Sequence, residues 1–172
     1  MKKIILLGYM GCGKSTIAKL LAKSIGISCL DLDEIIEKHE NSDVNNIFSE
    51  KGEIYFRKLE HQKFSDLIQN KDSFVLGVGG GTPCYSNNHL FLNFENVVSI
   101  YLKASVDTLF NRLSNSSEKR PLLAARTPNE RKEFIAKNLF DRSFFYNQAR
   151  FKISVDGKST EEIINEIKAI LT

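Results

Sequence analysis

The sequence predicts a three-layer α/β/α fold built around a five-stranded parallel sheet. Five short apolar segments recur along the chain, bounded by polar or glycine-containing stretches, as is typical of strands buried in a parallel sheet. Segments with the apolar spacing of helices lie between them. Strands that alternate with helices in this way are characteristic of α/β domains, in which helices cover both faces of the sheet.

The predicted strands and helices account for most of the chain. The strands are expected at residues 4–7, 28–32, 74–78, 97–102 and 151–155. The helices are expected at 14–25, 33–40, 44–70, 105–113, 128–148 and 160–171. Ser159 and Thr160, followed by two glutamates, are typical of the start of the last helix. At 172 residues the chain should form a single domain, 1–172.

The charge balance argues against polymeric partners. The chain carries 24 Lys and Arg against 21 Asp and Glu, a net charge of +3, with no long block of like charge. We therefore expect no nucleic-acid partner and no membrane partner, and small acidic ligands remain plausible. No apolar segment approaches the length that crosses a bilayer. We also expect a monomer.

The cysteines indicate a reducing compartment. Cys12, Cys29 and Cys84 are odd in number and show no CxxC spacing, so neither a disulfide framework nor a zinc site is indicated. The apolar run at the N-terminus is too short for a secretion signal. A cytoplasmic location is the expectation.

The segment Gly8–Ser15, GYMGCGKS, predicts a phosphate-binding loop. It fits the pattern GxxxxGK[ST] and joins an apolar strand to a helix, which is the context that this pattern requires. Its glycines let backbone N–H groups approach an anion at the positive end of the helix. Lys14 would contact the outer phosphates of a nucleotide, and the Ser15 hydroxyl would coordinate Mg²⁺. The predicted nucleotide-binding residues here are Gly11, Cys12, Gly13, Lys14, Ser15 and Thr16.

The dinucleotide fingerprint GxGxxG fails in the same segment. The residue three positions after Gly13 is Thr16, so a nicotinamide-dependent oxidoreductase is disfavoured.

Two acidic residues follow the second predicted strand. Asp31 and Asp33 are two positions apart, so in an extended chain their carboxylates would leave the strand on the same side. One could help to hold Mg²⁺ and the other could orient or deprotonate an attacking hydroxyl. The alternative is that Asp33 merely caps the helix that starts at Glu34.

Arg57 and Glu60 lie three residues apart on a predicted helix and are therefore neighbours on its surface. Such pairs are usually solvated salt bridges. If that face looked into the cleft, the planar fork of Arg57 would suit a bidentate carboxylate ligand. The sequence leaves the direction of this face open.

The third predicted strand ends in a glycine run, Gly79-Gly80-Gly81. Three consecutive glycines are entropically costly unless a ligand or another backbone comes close, so we interpret them as the wall of a substrate pocket rather than as a flexible turn. This strand lacks the acidic residue that usually supports the metal in nucleotide-binding folds. Asp31 is therefore the candidate metal ligand, together with Ser15.

The segment 115–126 breaks the alternation of helices and strands. It combines polar residues, the cations Lys119 and Arg120, and Pro121 followed by two leucines. In a phosphate-binding protein a basic loop of this kind can close over the ligand and exclude water. We expect a small mobile lid at about 114–127, and the alternative is an ordinary solvated connection.

These motifs together resemble the shikimate kinase family. The resemblance covers the whole chain in order: the phosphate-binding loop, DxD at 31–33, GExxFRxxE at 52–60, GGGT at 79–82, RPLL at 120–123 and RxxxY at 142–146. It implies a P-loop kinase fold of the nucleoside monophosphate kinase type. It also implies transfer of the γ-phosphate of ATP, with Mg²⁺, to the 3-hydroxyl of shikimate on the way to chorismate and the aromatic amino acids.

The resemblance also implies roles for individual residues. Asp33 would contact the shikimate hydroxyls, and Arg57 and Arg142 would bind its carboxylate. The backbone of Gly79, Gly80 and Gly81 would line the pocket. Arg120 would be the lid arginine that reaches the phosphates, so that Lys14, Asp33 and Arg120 are the expected catalytic residues. Arg112 and Lys158 occupy positions similar to the family's adenine-binding elements.

Three other functions are alternatives to this one. A gluconate kinase would share the loop and the lid but would not need the FRxxE and GGG elements. A nucleoside monophosphate kinase is disfavoured because nothing in the sequence clearly recognises a purine acceptor. A regulatory module without turnover would be expected to lose Asp33 or one of the arginines, and both arginines and Asp33 are present.

Overall fold

The computed structural model describes residues 2–115 and 121–172 and confirms the predicted α/β/α class. Within these residues the strands are β1 (Lys3–Leu7), β2 (Ser28–Asp31), β3 (Phe74–Gly77), β4 (Val97–Lys103) and β5 (Phe151–Ser154). The helices are α1 (Lys14–Ile25), α2 (Leu32–Glu40), α3 (Val44–Lys51), α4 (Glu53–Gln69), α5 (Val106–Ser114), α6 (Pro121–Ala124), α7 (Pro128–Tyr146) and α8 (Thr160–Leu171). Two short 3-10 turns lie between β3 and β4, at Thr82–Cys84 and Asn88–Asn93.

The sheet is parallel throughout and has the order β2-β3-β1-β4-β5. β1 occupies the centre because its side chains are apolar on both faces, and Ile4 to Leu7 are at most 1% exposed. The chain leaves β1 toward one edge and later returns to the other side of it at β4. Ligands of open α/β sheets bind at such a reversal of strand order, beyond the carboxyl ends of the strands.

The helices pack in groups around this sheet. α1 packs against α8, α2 and α3 pack against α4, and α5 packs against α7. Side-chain caps define several helix starts: Ser159 caps α8 and Thr127 caps α7, each in a capping box with a glutamate three residues later. The predicted cap at Ser159 is therefore correct.

The prediction of one helix over 44–70 is wrong. The structure has two helices, α3 and α4, separated at Gly52, whose backbone lies at φ 85° and ψ 167°. That region is accessible essentially to glycine alone, and it redirects the chain before the helix that carries Arg57. The remaining predicted elements agree with the observed ones to within two residues.

None of the described helices is both long enough and apolar enough to cross a membrane.

Candidate active site

The phosphate-binding loop follows β1 directly, as predicted. Gly11 and Gly13 take positive φ angles of 84° and 104°, and α1 begins at Lys14. The Lys14 ammonium donates to the backbone carbonyls of Gly8 at 2.6 Å and Tyr9 at 3.1 Å. The loop is thus wrapped around its own lysine, with the start of α1 directed at the space where an anion would bind.

Position 8 requires glycine because neighbouring atoms leave no room for a side chain. A Cβ at this position would lie 2.7 Å from the Cys12 sulfur and 2.8 Å from the carbonyl oxygen of Leu102 in β4. Cys12 is 1% exposed and fills the inside of the loop. Cys12, a predicted nucleotide-binding residue, could therefore contact a nucleotide only through its backbone, because its side chain packs inward.

A cavity of about 390 Å³ opens at the carboxyl ends of β1, β2 and β3. Its volume falls in the range typical of small-molecule sites. It brings together the phosphate-binding loop, the two acids and the glycine run. The residues that line it are Met10, Gly11, Gly13, Lys14, Ser15, Thr16, Asp31, Asp33, Gly77, Val78, Gly79 and Gly80.

Asp31, rather than Asp33, caps α2. One Asp31 carboxylate oxygen accepts from the backbone N–H groups of Asp33 at 2.9 Å and Glu34 at 3.2 Å. The strand ends at Asp31, and Asp33 lies in the first turn of the helix, so the expected extended geometry of this pair is wrong. Both side chains nevertheless face the same cavity.

Asp33 is held in an environment that disfavours its charge. Burial, together with the nearby carboxylates of Asp31 and Glu60, raises the pKa of Asp33 to about 6, although the Lys14 ammonium opposes this rise. A carboxyl group with a pKa near 6 is ionised at neutral pH and close to a proton-accepting range. It can therefore orient a hydroxyl and take up its proton late in a transfer.

The Arg57–Glu60 pair is buried and is not a solvated salt bridge. Arg57 Nη1 donates to Glu60 Oε1 at 2.8 Å, and the two side chains are 16% and 1% exposed. The second Glu60 oxygen accepts from the Thr82 hydroxyl at 2.8 Å. Arg57 also stacks on Tyr85, whose ring centroid lies 4.0 Å from the guanidinium carbon. Its Nε is buried without a hydrogen-bond partner among the residues that the structure describes.

The glycine run forms a wall against which both arginines lie. A Cβ at Gly81 would lie 2.7 Å from Arg57 Nη2, and a Cβ at Gly80 would lie 3.1 Å from Arg142 Nη1. At Gly79 a Cβ would lie 3.3 Å from Asp33 Oδ1. The interpretation of the run as a pocket wall thus agrees with the geometry, because side chains here would displace these groups.

The two guanidinium groups lie against neighbouring residues of the wall, Arg57 at Gly81 and Arg142 at Gly80. Burial raises the pKa of the Cys84 thiol to about 11, and the charges of both arginines act to lower it. A single small carboxylate could therefore meet both arginines.

Arg142 lies on α7, four residues before Tyr146 and on the same face of the helix. The Tyr146 hydroxyl donates to the carbonyl oxygen of Gly80 at 2.6 Å. Neither predicted clamp arginine points to bulk solvent.

Arg112 and Lys158 lie on the other side of the phosphate-binding loop. A smaller cavity of about 150 Å³ is lined by both of them together with Gly13 and Thr16. Arg112 Nη1 donates to the carbonyls of Gly11 and Cys12 at 3.3 and 3.1 Å, whereas Lys158 pairs with Glu166 at 2.6 Å. Their predicted role in adenine binding stays a prediction, and Arg112 also supports the loop itself.

The predicted lid falls only partly within the described residues. Arg120, the predicted lid arginine and catalytic residue, lies outside them, as does the rest of 116–120. The short helix α6 and the start of α7 follow this segment.

The donor set near the loop fits a magnesium ion carried by a nucleotide. Ser15 and Asp31 line the same cavity and supply a hydroxyl and a carboxylate, which are hard oxygen ligands of the kind that Mg²⁺ prefers. Among the described residues no cluster of three or more His, Cys, Asp or Glu could hold a metal ion. The site suits a Mg²⁺ ion that takes its remaining ligands from phosphate oxygens.

Several residues of the site have no role in the sequence-based predictions. Thr82, Asn88 and His61 extend the Glu60 network: Asn88 Nδ2 donates to the Thr82 carbonyl at 2.9 Å, and Asn88 Oδ1 lies 2.6 Å from His61 Nδ1. Asn88 and His61 belong to no motif, so no signal in the sequence marked them. Tyr146 belongs to RxxxY, and its spacing from Arg142 was the available clue.

Comparison with known proteins agrees with this geometry. A family model described as shikimate kinase matches residues 10–172. The shikimate kinase of Flavobacterium johnsoniae is 56% identical over 171 residues, 99% of each chain. A crystal structure of shikimate kinase from Bacteroides thetaiotaomicron superposes with a TM-score of 0.91 at 32% identity, covering 99% of this chain and 98% of that chain.

A shikimate kinase from Acinetobacter baumannii, solved in complex with shikimate, superposes with a TM-score of 0.86 at 28% identity. The match covers 99% of this chain and 93% of that chain. With these likenesses extending over nearly the whole length, the chain belongs to the shikimate kinase family of ATP-dependent phosphotransferases.

Proposed function

We propose that this protein transfers the γ-phosphate of ATP to the 3-hydroxyl of shikimate, and so supplies the chorismate and aromatic amino acid pathway. The observation that carries the proposal is the convergence of two arginines, Arg57 and Arg142, on the glycine wall beside Asp33. This arrangement suits a small ring that bears both a carboxylate and hydroxyl groups. The phosphate-binding loop opens onto the same cavity as Asp33.

The two arginines would fix the acceptor ring. Each guanidinium can form paired hydrogen bonds with a carboxylate, and Glu60 holds Arg57 while Arg142 lies against Gly80. A carboxylate held from two directions leaves the ring little rotational freedom. One hydroxyl can then be presented toward the phosphate-binding loop, and positioning of this kind accounts for much of the catalysis of phosphoryl transfer.

Asp33 would orient that hydroxyl. Its carboxylate lies at the Gly79 end of the wall, near enough to Lys14 for the ammonium to act on its pKa. Phosphoryl transfer passes through a loose transition state, in which the acceptor oxygen becomes acidic only late. Asp33 is therefore suited to hold the hydroxyl and to accept its proton near the end of the step, without acting as a strong base.

Charge neutralisation would come from Lys14 and from the N–H groups of the phosphate-binding loop. Lys14 now donates to loop carbonyls and would exchange these bonds for phosphate oxygens. Ser15 and Asp31 would hold Mg²⁺ that is carried by ATP, and the ion would supply positive charge to the phosphates. We propose that Arg120 adds a further charge from the lid at about 114–127.

The remaining expectations extend this proposal. We propose that the protein acts as a monomer in the cytoplasm, and that neither nucleic acid nor membrane is a partner. Its cysteines Cys12, Cys29 and Cys84 are free thiols, which suits a reducing compartment. Arg112 and Lys158 would border the adenine.

The test is release of ADP by purified protein with ATP and Mg²⁺, measured in parallel with shikimate, gluconate and AMP as acceptors. We expect turnover that depends on shikimate alone. A matched control is Asp33→Asn, which keeps the size of the side chain but removes its charge and should lose most of the activity. Absence of shikimate-dependent turnover in the unaltered protein would end the proposal.

A further inference from the structure

Three polar residues next to the acceptor side of the site are almost completely buried: Glu60 is 1% exposed, and Thr82 and Asn88 are 0% exposed. Burial of a polar side chain is costly unless its donors and acceptors are paired. The Glu60 carboxylate accepts from Arg57 Nη1 at 2.8 Å through one oxygen and from the Thr82 hydroxyl at 2.8 Å through the other. Both oxygens are thus fixed, and Thr82 holds the side of the carboxylate that Arg57 does not.

Thr82 is held in place by hydrogen bonds of its own. It begins the 3-10 turn that follows the glycine run, and its backbone N–H donates to the Gly79 carbonyl at 3.0 Å. Its carbonyl oxygen accepts from Asn88 Nδ2 at 2.9 Å. A Cβ at Gly79 would lie 3.1 Å from the Thr82 hydroxyl oxygen, so this hydroxyl also lies against the wall. The Asn88 amide therefore holds the backbone of the residue whose hydroxyl holds Glu60.

The orientation of the Asn88 amide is determined at both of its ends. A backbone carbonyl can only accept, so the amide nitrogen faces Thr82 and the amide oxygen faces His61, whose Nδ1 lies 2.6 Å away. An amide oxygen also can only accept, so His61 Nδ1 carries a proton and donates it. A flipped amide would place two acceptors together at Thr82 and two donors together at His61. The His61 ring is itself stacked on Phe91, with 5.6 Å between the centroids.

We propose that Asn88 is a positioning residue for Arg57. Its amide, oriented by His61, holds Thr82 against Glu60. Glu60, held in this way, keeps the Arg57 guanidinium directed at the acceptor carboxylate. The inference rests on the proposed function, since it presumes that Arg57 binds that carboxylate. Asn88 is completely buried and acts on the substrate only through these neighbours, and an arginine that is fixed beforehand loses less entropy on binding.

The first test is Asn88→Asp, which keeps the size of the side chain and the acceptor for His61 but replaces the donor to Thr82 by an oxygen. We expect the KM for shikimate to rise about fivefold to tenfold, in line with the loss of one buried hydrogen bond, while the KM for ATP changes less than about twofold. Asn93→Asp is the matched control. Asn93 lies in the same 3-10 turn, and its Nδ2 donates to the Gln148 carbonyl at 3.3 Å on the exposed surface. This control should leave both constants unchanged.

Two variants at His61 separate orientation of the amide from packing of the ring. His61→Phe removes the Nδ1 donor but keeps a ring that can stack on Phe91, whereas His61→Asn removes the ring but keeps a donor nitrogen close to the place of Nδ1. We expect His61→Phe to raise the KM for shikimate about fivefold and His61→Asn to stay within about twofold of the unaltered protein. The opposite order would show that His61 acts through packing, and it would overturn the inference.

A double-mutant cycle tests the path through Thr82. Thr82→Val keeps the branched shape of the side chain but removes the hydroxyl that binds Glu60. In this background Asn88→Asp should change shikimate affinity, measured by calorimetry, by less than about twofold, because the path to Glu60 is already broken. Equal weakening in both backgrounds would contradict the inference, as would a joint rise of both KM values or an unchanged KM for shikimate in Asn88→Asp.

Failure of the inference can be told from failure of the proposed function. If the unaltered protein shows no turnover with shikimate, the function itself is wrong. If it does turn over shikimate, and Asn88→Asp and His61→Phe both keep its KM, the inference alone fails. Thermal unfolding of each variant without ligand verifies that the fold is retained. If Asn88→Asp does not fold, the order of the two His61 variants decides.

Discussion

Arg57 is the residue whose chemistry is most sharply defined by its surroundings. Glu60 occupies one of its nitrogens, Tyr85 covers its face, and Nε has no hydrogen-bond partner among the described residues. A guanidinium that is fixed in this way is prepared for a planar ligand. A lysine could supply the charge but not the fork of donors.

Arg57→Lys should therefore raise the KM for shikimate by roughly tenfold to a hundredfold and leave the KM for ATP nearly unchanged. Steady-state kinetics with each substrate varied in turn measures both. Arg150→Lys is a matched control. Arg150 directly precedes β5 and donates to the carbonyls of Asn93 and Phe94, far from the cavity. If both constants rise together in Arg57→Lys, Arg57 does not bind the carboxylate.

Asp33 should make activity depend on pH. With its pKa near 6, the carboxylate that we propose to orient the hydroxyl becomes protonated as the pH falls. We expect kcat/KM for shikimate, at saturating ATP and Mg²⁺, to be level above pH 7 and to fall about tenfold per unit below pH 6. Glu60→Gln removes a neighbouring negative charge and should move this fall to lower pH.

The same pKa predicts an effect on stability, which provides an independent check. Because folding raises the pKa of Asp33, its contribution to stability is present below about pH 4 and is lost as the pH rises through about 6. Asp33→Asn should thus raise the Tm at pH 8 and change it little at pH 4. An equal change at both pH values would contradict a raised pKa.

A substitution at Gly81 would act on a single neighbouring side chain, that of Arg57. Its backbone, at φ −90°, is open to any residue, yet an added Cβ would lie 2.7 Å from Arg57 Nη2. Gly81→Ala should displace the guanidinium, raise the KM for shikimate about tenfold and change the free energy of unfolding by less than about 1 kcal/mol. In Gly77→Ala the nearest atom would be 3.9 Å away, so a similar rise there would show that the effect is not specific to Arg57.

At the scale of elements, the important feature is the break between α3 and α4. Gly52 stops one helix and starts the next, and α4 then carries Arg57 and Glu60 toward the glycine wall. The Arg57–Glu60 pair is therefore buried because of a backbone turn five residues before it.

Gly52→Ala should lower the free energy of unfolding by about 2 kcal/mol, since a Cβ meets no atom within 4 Å but the backbone conformation is strained for any other residue. Urea denaturation measures this change. Gly26→Ala is the control: Gly26 ends α1 in the ordinary left-handed region, where a side chain costs about 1 kcal/mol. A smaller loss for Gly52→Ala than for Gly26→Ala would contradict this account.

At the scale of the whole molecule, the residues proposed to bind the two ligands come from two sets of elements. The phosphate-binding loop and α1 extend from the central strand, whereas the residues proposed to bind the acceptor lie on α2, α4, the loop after β3, and α7. These parts are distant in sequence and meet only at the carboxyl edge of the sheet. Each ligand should therefore stabilise the fold through its own contacts.

Shikimate and ADP with Mg²⁺, each at about a hundred times its Kd, should each raise the Tm by about 5–10 °C, corresponding to ~2.7 kcal/mol of binding free energy. Arg57→Lys should lose most of the shift with shikimate and keep the shift with ADP. Differential scanning calorimetry measures both. Loss of both shifts would mean that Arg57 supports the whole fold and not the acceptor pocket.

The sequence by itself determined the strand–helix alternation and the phosphate-binding loop, because these depend on local spacing, and it marked Asp33, Arg57 and Arg142 as candidate site residues. Only the tertiary structure decided that Glu60 is buried, that Asp31 caps α2, and that Tyr146 donates to the Gly80 carbonyl. Burial and long-range hydrogen bonds depend on which elements meet in space. Residues 66 positions apart, such as Gly80 and Tyr146, leave no periodic signal along the chain.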